Sequence, residues 1–117
     1  MKNLEQVRAA AALPAVVTLG LKRSAISKLP GLILNNGLLA AAAFCNAEGG
    51  GGNRPQLKNA MGAIASHLAE REIVGNQVHD IPRMILDLSA RDAIALQRAT
   101  QEALAFLAYL KRFATND

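Results

Sequence analysis

Between Ser89 and Ala114 the apolar residues Leu96, Ala99, Ala103, Leu107, Leu110 and Ala114 recur at the three- and four-residue spacing of one helix face. The pattern predicts one long helix, about 36 Å if unbroken. Ser89-Ala90-Arg91-Asp92 has the Ser-x-x-Asp form of a capping box and is expected to open it. Its last turn sets Lys111 and Arg112 between Tyr109 and Phe113, where the helix dipole favours cations.

The same reading applied from the other end predicts a first helix from about Leu4. Asn3 and Gln6 form the capping box there, and Leu4, Val7, Ala11, Val17 and Leu21 supply the apolar face. Pro14 removes one hydrogen bond and crowds the preceding turn, so a kink is expected near Ala10 to Pro14. A short helix over Arg23 to Leu29 follows, and Pro30 suits the first turn of a third. Leu32 to Leu39 is ambiguous. Asn35-Asn36-Gly37 between apolar runs is a hairpin signal, whereas the continuous runs and the passage into Ala40 to Ala43 favour helix.

Glu48 to Asn53 contains four consecutive glycines and reads as a flexible loop. It follows a helix and lacks a Gly-Lys-Ser/Thr element, so it does not read as a phosphate cradle. A fourth helix then runs from Asn53 and Pro55 to about Glu72, with Leu57, Met61, Ile64, Ala65 and Leu68 inward. Val74 to His79 connects it to a short helix over Pro82 to Leu88, which Asp80 starts. Helix one, helix three and the last helix are expected to form most of the core.

Composition supports the same class. Alanine and leucine number 40, against 15 valines, isoleucines and threonines. Unbranched and small residues lose little freedom in a helix, and β-branched ones are what strands collect. The expectation is an all-α fold, a compact bundle of five or six helices, with residues 1–117 as a single domain and a glycine-rich loop at about 48–53. Ala9 to Leu21 approaches a signal-peptide core, but Glu5 precedes it and Lys22 and Arg23 follow it, so it reads as a buried helix face. No apolar run reaches the roughly 18 residues of a spanning helix, so no membrane is expected. The lone Cys45 allows no internal disulfide and fits a reducing cytoplasm.

Catalytic chemistry is not in evidence. His67 and His79 lie twelve apart, without the companions a zinc site needs, so no metal or other cofactor is expected. Cys45 reads as an inert packed thiol, and Glu70-Arg71-Glu72 as an exposed helix end. Glu102, set among apolar residues, reads as a salt-bridge or cap partner. The chain is expected not to be an enzyme.

Charge is modestly basic: 13 Lys and Arg against 9 Asp and Glu, a formal net charge of +4. The pI is near 9.7. All four aromatics, Phe44, Phe106, Tyr109 and Phe113, fall at core spacing, so a base-stacking platform is not expected. What charge can do is grip phosphates with little sequence reading. Lys22, Arg23 and Lys28 form the densest basic cluster and Lys111 with Arg112 the second; either could equally be a solvated face. Arg54, Lys58, Arg91 and Arg98 are weaker candidates that could pair with carboxylates. A helix-turn-helix reader of DNA would need polar base-reading residues that no helix here offers.

Two segments carry a family resemblance: KLPGLILNNGLLAAAAF, Lys28 to Phe44, and ATQEALAFLAYLKRFA, Ala99 to Ala114. With the opening Lys2 to Ala9, they resemble the small helical subunit of the type III-B CRISPR effector, the fifth protein of the Cmr complex. Tyr109 stands where that family often carries Trp, and Leu96-Gln97 where Tyr-Arg is common. The resemblance implies that Asn35-Asn36-Gly37 lies in a helix. It also implies a non-catalytic cytoplasmic role in antiviral defence. Copies of the subunit stack beside the backbone and large subunits and line the channel for guide RNA and target RNA. Lys22, Arg23, Lys28, Lys111 and Arg112 are then the expected contacts to the RNA backbone. The rival reading is a protein–protein adaptor whose partners alone touch nucleic acid.

Overall fold

The structure, a computed structural model, describes residues 2–47 and 52–116. Among these, helix dominates and no strand occurs: α1 Leu4–Leu19, α2 Arg23–Ile26 (a single turn), α3 Leu29–Asn36, α4 Leu38–Asn46, α5 Arg54–Glu70, α6 Ile81–Ser89 and α7 Ala93–Phe113. Six helices and one turn agree with the expected bundle. The expected glycine-rich loop lies largely outside the described residues.

Local chemistry accounts for most boundaries. The Asn3 side chain accepts from the Gln6 N–H at 2.9 Å, and the Gln6 side chain accepts from the Asn3 N–H at 3.0 Å, the reciprocal pair of a capping box. α1 runs through Pro14 to Gly20, which takes φ 62°, ψ 40° and donates its N–H to the Val16 carbonyl. Pro14 and Ala10 both face solvent, where water can satisfy the carbonyl that proline leaves unpaired. Asp80 caps α6 by accepting from the Arg83 N–H at 2.8 Å.

Two boundaries depart from expectation. The long helix opens at Ala93, with Asp92 as the cap accepting from the Ala95 N–H at 2.9 Å. Ser89 instead ends α6, so α7 is 21 residues, about 31 Å. The hairpin reading falls, as does a continuous helix through Gly37. Asn35 and Asn36 are helical, but Gly37 takes φ 90°, ψ 158° and breaks the segment into α3 and α4. That backbone region is open essentially to glycine alone.

The helices have a clear register. Arg8 meets Glu102 at one end of the α1–α7 pair, and Thr115 donates to the Leu21 carbonyl at the other, both 94 residues apart. α1 and α7 therefore run parallel, side by side. α5 lies antiparallel to both, with His67 at the Glu102 end and Gln56 bonded to Gly20 and Lys22 at the other. α4 packs on α3, α5 and α6 and completes the bundle.

The core is distributed differently from the expectation. α5 buries eight residues and α7 six, whereas α1 buries only Ala12 and Val16. The expected inward positions Leu4 and Val17 are exposed. α1 is apolar nearly all round, so its periodicity does not specify which face turns inward; docking on α7 does. All five inward positions expected on α5 are buried, as are Ala99, Ala103, Leu107 and Leu110 of α7 and its capping residue Ala114, while Leu96 is half-buried.

Candidate nucleic-acid interface

The end of the bundle where α1, α2, α5 and α7 meet is built by backbone pairing. Arg23 donates its N–H to the Thr115 carbonyl at 3.0 Å, and Thr115 donates to Leu21 at 3.2 Å. Gln56, in the first turn of α5, clamps the corner: its side-chain oxygen accepts from the Lys22 N–H at 2.8 Å, and its amide donates to Gly20 at 2.9 Å. Arg23 then reaches the exposed end of α7. Its guanidinium donates to the carbonyls of Lys111 at 3.1 Å, Arg112 at 3.2 Å and Ala114 at 3.5 Å. These are the carbonyls a helix leaves without internal partners.

The consequence is one patch from two distant stretches. Lys22, Arg23, Lys111 and Arg112 are brought to a single end of the molecule, Lys22 and Arg112 exposed, Arg23 and Lys111 half-buried. Among the described residues none of the four pairs with a carboxylate. Arg23 holds α7 in place while adding its charge to the patch. Lys28 lies apart, at the start of α3, in a niche with Asn35, Phe44, Asn53 and Arg54. Gln56 and Arg54 share the first turn of α5, so the niche and the patch border the same helix start. Phe44 departs from expectation: it is 43% exposed, because α4 turns its opposite face inward.

Of the weaker candidate cations, Arg91 pairs with Asp87, whose carboxylate also accepts from the Gly75 N–H at 3.0 Å. Arg54 lies over the Phe44 ring, guanidinium carbon to ring centroid 4.0 Å.

The opposite end of the α1–α5–α7 layer holds a buried carboxylate. Glu102, 6% exposed, accepts from Arg8 at 2.8 and 2.9 Å and meets His67 Nε2 at 2.8 Å. Arg71 approaches at 3.9 Å. His67 stacks on Phe106, centroids 4.0 Å apart and nearly parallel. Burial pushes the Glu102 carboxyl up, but the hydrogen bonds from Arg8 and His67, with the charge of Arg8, outweigh it and bring it down to about 2. Burial lowers the His67 pKa more than Glu102 raises it, which leaves the imidazole neutral near neutral pH with its Nε2–H directed at the carboxylate. The arrangement cross-links three helices. Sequence reading anticipated a salt bridge for Glu102 but not its partners; Arg71, read there as part of an exposed end, is half-buried beside it.

Cys45 is buried, and burial pushes its thiol up to about 11. Among the described residues no three His, Cys, Asp or Glu side chains are grouped as metal ligands, and no helix is long and apolar enough to cross a membrane. The described residues form an all-helical bundle with four cations gathered at one end. The family model for the CRISPR-associated protein Cas_Cmr5 matches residues 4–116, and the chain belongs to that family. It is therefore a CRISPR-associated subunit of a Cmr complex. No curated protein and no solved structure matches it.

Proposed function

We propose that this chain is the non-catalytic small subunit of a type III-B RNA-guided effector, acting in the cytoplasm in antiviral defence. Residues 1–117 work as one domain that stacks on copies of itself beside the backbone and large subunits. Its cations hold the guide and target RNA by their phosphates. Base pairing with the guide reads the sequence, so this subunit needs only to grip a backbone. The observation that supports this best is the convergence of Lys22, Arg23, Lys111 and Arg112 on one end, where none of them pairs with a carboxylate among the described residues. Neutralising about three phosphates gives weak binding per subunit, and stacking raises effective concentration along the strand. The exposed apolar side chains Leu13 and Val17 on α1 offer a surface for protein contact.

The test is charge reversal in the assembled complex. Lys22→Glu with Arg112→Glu should reduce retention of target RNA while the complex still assembles. Arg23 is left unchanged because its guanidinium secures the end of α7. Retention equal to the parent complex would refute phosphate contact by this patch and favour the adaptor reading.

A further inference from the structure

The geometry points to a nucleotide niche between α3, α4 and the start of α5 that takes one unpaired base of a single RNA strand. This rests on RNA being a ligand of the chain and names a second site for it. The niche is about 670 Å³ and is lined by Lys28, Asn35, Phe44, Asn53, Arg54 and Leu57 among others, and none of its described lining residues is acidic. That volume falls within the usual range for small-molecule sites, roughly 300–1,000 Å³.

The lining residues have the parts a nucleotide requires. Phe44 presents an exposed aromatic ring, and the Arg54 guanidinium lies 4.0 Å over it. Arg54 is fixed there by donating from Nη2 to the Phe44 carbonyl at 3.1 Å. The pair forms a flat, positively charged surface of the kind on which bases stack. Two amides, Asn35 and Asn53, are exposed at the niche, and Asn53 makes no capping bond to α5. Each offers both a donor and an acceptor to a base edge, so the niche tolerates any base. Lys28, exposed and paired with no carboxylate among the described residues, is placed to meet the phosphate. The groove between α1 and α5 has Lys58 and the amides of Asn46 and Asn59, but its Phe106 ring is buried, and Glu70 and Asp80 line it and repel a phosphate.

The test compares the full chain binding a fluorescent oligouridine of about ten nucleotides with an abasic RNA of equal length and charge. Stacking of about 1–3 kcal/mol per base, converted at about 1.4 kcal/mol per tenfold, predicts roughly 5- to 150-fold tighter binding of the intact RNA. Phe44→Leu, which keeps an apolar side chain, should abolish that preference and leave the salt dependence unchanged. Arg54→Lys, which keeps the charge and loses the flat group, should do the same. Circular dichroism melts check that both variants fold. Equal binding of intact and abasic RNA by the parent chain would overturn the niche and leave phosphate contact standing. A preference that survives both variants would also overturn the niche. Binding of neither RNA would overturn both readings. Loss of another complex subunit from Phe44→Leu, with RNA binding intact, would assign the niche to a protein and overturn the proposal.

Discussion

Replacing Glu102 with Gln tests the account of the fold most sharply. The carboxylate is 6% exposed and sits between Arg8 on α1 and His67 on α5, so the substitution removes the one negative charge joining three helices. Its pKa, held at about 2 against an ordinary value of 4.5, corresponds to about 3 kcal/mol of stabilisation of the ionised form. Loss of one member of a buried pair costs up to about 3–5 kcal/mol when the remaining charge is fully desolvated. Arg8 is 20% exposed and Arg71 24%, so water recovers part of that. The expected loss is about 2–3 kcal/mol, read by urea denaturation, with a Tm lowered by about 8–12 °C for a chain of this size. The pH dependence has a definite sign. The depressed Glu102 pKa contributes stability that is full above about 4.5 and lost as pH falls towards 2. The lowered His67 pKa means the unfolded chain takes up a proton first below about 6.5, so stability declines with acid from there as well. In the Gln variant the segment between about 4.5 and 2 should flatten. A loss below about 1 kcal/mol, or an unchanged acid profile, would refute the reasoning.

Two backbone positions give opposite predictions. Gly37→Ala places a side chain at φ 90°, ψ 158° with no atom near the added carbon, so its cost is backbone strain alone, about 1–3 kcal/mol by denaturant titration. Glu72 holds φ 60° just after α5 and is exposed, so Glu72→Gly should stabilise by about 1 kcal/mol in the same assay.

Local signals in the sequence proved legible and distant ones did not. The Asn3–Gln6 box, the Asp80 cap and the inward face of α5 follow from chemistry within one or two turns. The Ser89 box failed because Asp92 offers the same acceptor three residues later and wins the cap. Gly37 broke a helix that apolar content alone would have continued. The faces of α1 and α4 were hidden because both are apolar almost all round; hence Val17 and Phe44 turned outward against expectation. The five candidate cations stand out in the sequence as charges, but where the fold places them does not. Nothing local joins Arg23 to carbonyls some 90 positions away, or separates Lys28 into a niche with Arg54. The Glu102 partners were hidden for the same reason, since Arg8 lies 94 residues off.

The claim that this subunit grips RNA by phosphates without reading sequence is tested most directly by salt titration of single-stranded RNA binding to the full chain. About three neutralised phosphates at roughly −0.7 to −0.9 each predict a slope of log affinity against log salt of about −2 to −3. The same slope and similar affinities should hold for oligonucleotides of unrelated sequence. A slope near zero, or affinities that differ more than about tenfold between sequences of equal length, would contradict it.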